Sequence, residues 1–171
     1  MKKYYASRSS LFLIELIISI FFFIVSAAIV LQLFVTSHFT SKDTININNS
    51  LFYSQNISEI FLGNNGSFSF VQNAYEEFDY KNFDFPAPDT MLLLFDKNWS
   101  PTTDISLAKY IILANYNTQP ANMYGEYSCL NIYINTYSEA VHEFLQSQNY
   151  EALKTDSSYI HHLYVKKYVS L

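Results

Sequence analysis

Cysteine, glycine and proline are scarce in this chain: one, three and four residues out of 171. The single cysteine, Cys129, excludes an intrachain disulfide and every CxxC metal or redox motif, and it leaves the redox compartment open. With so little glycine there is no glycine-rich phosphate loop, and neither HExxH nor GxSxG occurs. Positive charge is scarce as well. Ten basic residues face fifteen acidic ones, for a net charge of -5. Three of the ten, Lys2, Lys3 and Arg8, lie in the first ten residues, and the remainder of the chain stands at -8. This balance argues against a broad basic surface for nucleic acid. No internal repeat is present. No constellation proposes catalysis, a cofactor or a metal, so the chain is read as a non-enzyme.

Apolar and aromatic residues are plentiful. Half the chain is hydrophobic and 18% is aromatic, which is ample for a core. From Leu11 to Val35 there is one charged residue, Glu15. As a helix this stretch is roughly 37 Å long at about 1.5 Å per residue, long enough to cross a bilayer with some tilt. The basic residues ahead of it predict a cytoplasmic N-terminus and an outside location for residues after about position 36. A charge at mid-bilayer costs about 3 kcal/mol on insertion scales. Glu15 lies about one turn into the run, where snorkelling lowers that cost. An acid inside such a segment raises the expectation of a partner.

The order is a basic leader, the small residue Ser10, four apolar residues, Glu15, then further apolar residues to Val35. This resembles the N-terminus of type IV pilin-like proteins, including the pseudopilins of type II secretion and competence systems. The resemblance covers residues 1 to about 35. It implies a prepilin peptidase cut between Ser10 and Leu11, methylation of the new Leu11 amine, and Glu15 as the fifth residue of the mature chain. It further implies that Glu15 docks against the Leu11 amine of the next subunit. The implied partners are the membrane, the peptidase, other pilin-like subunits and their assembly machinery. The implied location is the cytoplasmic membrane, single-pass, with the head outside, and extracellular once in a filament. The family usually has Gly before the cut, and Phe followed by Thr or Ser after it. Here those places hold Ser10, Leu11 and Phe12. These departures and an irregular head lean toward a minor subunit.

Two other readings fit the same segment. Ser26, Ala27 and Ala28 place small residues for a signal-peptide cut after Ala28. An uncleaved anchor would keep Met1. Either would suit a single-pass or secreted surface module that binds a ligand and does not polymerise.

The expected organisation is a leader (1–10), a transmembrane half-helix (11–35), an amphipathic half-helix (36–62) and a β-rich head (63–171). No Gly or Pro precedes Gly63, so one helix can run through. Ile45, Phe52, Tyr53, Ile57 and Ile60 share one side of the wheel and are expected to pack on a sheet. "TININN" weakens helix propensity, and local disorder is expected around 42–50. "GNNG" (63–66) is a stop. "SFSFV" (67–71) alternates like a strand, "MLLLFDK" (91–97) and "KYIILANY" (109–116) read as strands, and "SPTTD" reads as a turn. Leu130, Ile132 and Ile134 alternate with Asn131, Tyr133 and Asn135. Leu163, Val165, Lys167 and Val169 share a face, and "SEAVHEFLQ" (138–146) reads as a short helix. The fold class expected is α+β: a long N-terminal helix packed on a small antiparallel sheet.

In the head, Glu76, Glu77, Asp79, Asp84 and Asp89 crowd a segment punctuated by Pro86 and Pro88. Their spacing lacks a calcium loop, and a solvated acidic loop is expected. His161 and His162 point to opposite faces of a strand and cannot chelate one ion together. His38 and His142 have no evident partners. Lys166 and Lys167, with Tyr164 and Tyr168, are the one basic-aromatic cluster. They read as a lysine-guarded edge strand rather than a nucleic-acid patch.

Overall fold

In the computed structural model, residues 8–78, 89–121 and 125–170 are described, with side chains from residue 11 onward. Helix α1 runs Arg8–Gly63 and a short helix α2 runs Phe68–Ala74. Five strands follow: β1 (Thr90–Phe95), β2 (Pro101–Thr102), β3 (Tyr110–Pro120), β4 (Glu126–Thr136) and β5 (Tyr159–Val169). Helix α3 (Glu139–Gln146) and a 3-10 turn (Tyr150–Lys154) lie between β4 and β5. By contacts the chain divides into residues 1–45 and 46–171.

The second unit carries the sheet, in the order β2-β1-β3-β4-β5, with every neighbour antiparallel. One face packs against Ile57 and Phe61 of α1 and Phe68 and Val71 of α2. The other packs against Val141 and Leu145 of α3 and Leu153 of the 3-10 turn. Covering both faces explains why "MLLLF" and "YIILA" are unbroken apolar runs: neither face of those strands meets water, so alternation has nothing to encode. All five residues from Met91 to Phe95 are buried, as are Tyr110 to Ala114. The structure is therefore α+β, a long helix packed on a small antiparallel sheet.

The stop at "GNNG" falls as expected. Asn65 takes φ 54° and Gly66 φ 75°, and the Gly66 N–H donates to the Phe61 carbonyl at 2.8 Å. This left-handed exit satisfies a carbonyl of the last turn. A Cβ on Gly66 would sit 2.8 Å from the Ser128 Cβ, so space as well as backbone conformation demands glycine. Helix α3 also falls where expected. Its cap is Ser138, whose hydroxyl accepts from the Val141 N–H at 3.3 Å.

Four expectations need correction. "SPTTD" is not a turn: Pro101–Thr102 is β2, and the turn lies just before it, where the Asp96 N–H donates to the Ser100 carbonyl at 2.9 Å. "SFSFV" is not a strand: α2 begins at Phe68. Phe68 and Val71, three apart, are buried together while Phe70 is exposed, and Phe68 stacks on Tyr116 at 5.6 Å. The three-residue spacing meets one surface, which period-two alternation would not. Residues 42–50 are helical without interruption. There the hydroxyls close onto their own helix: Thr44 donates to the Thr40 carbonyl (2.8 Å) and Ser50 to that of Asn46 (2.7 Å). The packing stripe is also shifted. Tyr53, Ile57 and Ile60 pack on the core as expected, but Ile45 and Phe52 are exposed, and the fully buried residues are Ser50, Ser54, Ile57 and Phe61. These four follow the i, i+4, i+7, i+11 spacing of one helix face.

Glu76, Glu77 and Asp89 lie in turns, while Asp79, Asp84, Pro86 and Pro88 fall outside the described residues. Among the described residues no group of metal-ligating side chains assembles.

Candidate functional site: the apolar segment of α1

The segment has no Gly or Pro to break a helix, and its Leu and Ala offset the weaker helix preference of its Ile, Val and Phe. No residue from Leu11 to Ile45 is buried. Apolar side chains cover the whole circumference; Phe12, Phe23 and Phe34 are 67%, 75% and 72% exposed. A helix that is apolar all round belongs in an apolar medium. This one is long and apolar enough to cross a membrane.

Ser10 and Leu11 both lie in the first turns of α1, so the bond between them is within the helix rather than ahead of it. Glu15 is four residues on from Leu11, which sets the two on one face about one turn apart. Glu15 is exposed and is the only ionisable side chain between Leu11 and Val35. Past Val35 the character changes. Thr36, Thr40 and Thr44 follow one another at four-residue steps. Each hydroxyl donates to a carbonyl one turn back, at 2.9, 3.0 and 2.8 Å. Lys42 and Asp43 bring charge of both signs, so the helix becomes water-compatible where the expected span ends.

The other residues singled out in the sequence have structural settings. Cys129 is buried, and the Tyr164 hydroxyl donates to its sulfur at 3.1 Å. His161 lies opposite Ile134, while His162 lies opposite Tyr133 on the other face. Burial holds both imidazoles below their ordinary value, with the Lys154 ammonium adding to the effect at His162. His142 does have partners: its Nδ1 pairs with the Tyr137 hydroxyl and its Nε2 with the Gln146 amide, both at 2.9 Å. His38 is on α1 with its ring 6.4 Å from that of Phe39. Lys166 and Lys167 point to opposite faces of β5, as alternation predicts.

Two clusters were not foreseen. On the outer face, the Tyr133 hydroxyl donates to Glu151 at 3.0 Å, and Lys154 bridges the same carboxylate at 2.8 Å. Burial, then the bond to Glu151, holds the Tyr133 phenol well above its ordinary value. The Lys154 hydrogen bond, followed by that of Tyr133, holds Glu151 below its own. This latch ties the 3-10 turn to β4. On the inner face, Trp99 stacks between Tyr53 of α1 (6.2 Å) and Tyr110 of β3 (4.4 Å), and its indole N–H donates to Asn46 at 3.2 Å. Trp99 takes φ 62° in a turn where Asp96 accepts from the backbone of Asn98 and Ser100. Neither cluster is chemically reactive in itself: each is a closed set of hydrogen bonds and ring contacts.

No protein-family model, curated protein or solved structure matches the chain.

Proposed function

We propose that this chain is a pilin-like subunit, made as a precursor and held in the cytoplasmic membrane by the apolar part of α1. In this reading a prepilin peptidase cuts between Ser10 and Leu11, the Leu11 amine is methylated, and the β-rich head lies outside. The mature chain then joins or primes a type IV pilus, secretion pseudopilus or competence filament, as a minor subunit with no catalytic role. One observation carries the reading. The single acid of an exposed apolar helix stands one turn from the residue at which cleavage would leave an amine, and on the same face. A carboxylate and an ammonium that are each costly in lipid become tolerable as a pair between neighbouring chains, and the pair specifies register.

Mature N-terminal sequencing separates the readings. Leu11 supports the filament subunit, Ile29 a secreted module and Met1 an anchored one. A bulky Ser10→Trp should block processing. Glu15→Val should leave insertion and processing intact, since valine suits lipid better than glutamate. It should lower the yield of sheared filament or cross-linked oligomer against the membrane-bound monomer pool. Glu15→Asp should fall between, because the charge stays and the reach shortens. Normal incorporation of the valine variant at a normal monomer level would sink the docking role.

A further inference from the structure

We propose that the free edge of β5 takes up an extended acidic segment of a partner protein as an added strand. The inference rests on the sheet alone and stands whether or not the chain enters a filament. β5 is the last strand of the sheet, paired with β4 from Glu126↔Val169 to Asn135↔Tyr159. Among the described residues no strand lies beyond it. The opposite edge is the two-residue β2. Among the described residues the sheet therefore ends on one side in a stub and on the other in an eleven-residue strand.

Long edges invite another strand unless proline, a bulge, brevity or charge prevents it. β5 has no proline, and its one irregularity lies near its start, where Ile160 is extra between the pairs Ile134↔His161 and Asn135↔Tyr159. From His161 to Val169 the register is unbroken. Charge is the guard that remains, and it has one sign. β5 carries Lys166 and Lys167 and no acid, within a chain of net charge -5. Glu126, the nearest acid on the paired strand, lies opposite Val169 and one strand in from the edge.

The two lysines face opposite sides. Lys166 is exposed on the outer face, its ammonium 3.8 Å from the centre of the Tyr127 ring. Lys167 is on the helix-covered face beside Leu163 and Val165. An incoming strand meets an ammonium whichever way its side chains alternate. Like charges opposite one another on a sheet are unfavourable and opposite charges favourable. A second copy of β5 meets this repulsion in an antiparallel pairing centred between Lys166 and Lys167, which would set each lysine opposite the other. A guard of one sign thus becomes a selector, rejecting basic and self-like edges and admitting acidic ones. Main-chain bonds would supply the attachment and alternate side chains the choice. Leu163 and Val165 ask for apolar residues on the covered side of the guest, and the lysines ask for carboxylates.

The test uses the full chain in detergent and three capped peptides as long as β5: alternating Glu and Val, alternating Lys and Val, and the Glu peptide interrupted by proline. The Glu–Val peptide should bind and slow amide hydrogen exchange along residues 161–169. The Lys–Val and proline-interrupted peptides should bind at least about tenfold more weakly. Lys166→Glu with Lys167→Glu should reverse the preference between the two alternating peptides. Lys166→Gln with Lys167→Gln, which leaves the strand uncharged and preserves its hydrogen bonding, should abolish the preference. The proposal is overturned by equal binding of the proline-interrupted peptide, which would mean charge attraction without strand addition. Protection mapped away from β5, absence of binding, or self-association through β5 would overturn it equally.

Discussion

Helix α1 is one element with two opposite characters. From Leu11 to Ile45 it has no buried residue, although its first 25 positions hold the longest apolar run in the chain. From Asn46 to Gly63 it is more polar, yet Ser50, Ser54, Ile57 and Phe61 are completely buried. Apolar content and burial run in opposite directions along the same helix. Burial in this chain therefore depends on whether another surface is at hand, and the segment with none is the one suited to lipid. The contrast can be broken by exchanging what each part tolerates.

The largest effect is expected from phenylalanine truncation. Phe61→Ala leaves a cavity between helix and sheet and should destabilise the head by about 3–5 kcal/mol. Phe34→Ala, at a site 72% exposed, should leave head stability within about 0.5 kcal/mol. Denaturant unfolding of the full chain in detergent, followed through Trp99, measures both. Equal shifts would erase the distinction between the two parts.

Serine enlargement comes next. Ser54 is fully buried where α1 meets the sheet, so Ser54→Leu should overpack that contact and cost about 1–3 kcal/mol. Ser41→Leu, on the exposed part, should be neutral in the same unfolding experiment. A neutral Ser54→Leu would show that the site has room for a larger side chain.

Asn46 opens the buried part. Asn46→Ala leaves the indole N–H of Trp99 without its acceptor and should cost about 1 kcal/mol, with a change in the tryptophan emission maximum. An unchanged spectrum and midpoint would remove Asn46 from the stack.

The smallest effect is pH dependence within the head. His161 and His162 are held below their ordinary value of 6.5, so the unfolded chain binds protons more readily than the folded one. Stability should be intact above 6.5 and should decline as pH falls through 6.5 toward the lower folded-state values. At His162 the Lys154 ammonium adds to the decline and the Glu151 carboxylate opposes it; the Tyr133 ring and the Asn131 amide also face it. His162→Gln should flatten the drop in melting temperature between about pH 7.5 and about pH 5.5.

Much of this fold is legible in the residues. Alternation marks β4 and β5, "SEAVHEFLQ" marks α3, and a run without breakers marks α1. What stays hidden depends on contacts remote in sequence. The buried stripe of α1 is half serine, and apolar patterning does not look for serine. "SFSFV" alternates, but Phe68 finds Tyr116 and Val71 finds the same core, and tertiary contact overrides the local pattern. Tyr133 and Glu151 are 18 residues apart, and Asn46 and Trp99 are 53 apart. No spacing rule links such pairs. The candidate site is the reverse case. The positions of Ser10, Leu11 and Glu15 relative to one another are fixed by a local helix, so the sequence already contains what geometry there is.

The strand order has a consequence in time. β3, β4 and β5 are neighbours in both sequence and space, and β1 reaches β3 across the short excursion that makes β2. Contacts this local close quickly, because little chain entropy is lost in each closure. Synthesis runs the other way round: the apolar run of α1 leaves the ribosome first, the stripe from Ser50 to Phe61 follows, and the strands that cover that stripe come last. For that interval Ile57 and Phe61 have no sheet to rest on. Birth order thus brings out the lipid-compatible stretch before the rest of the protein has a core.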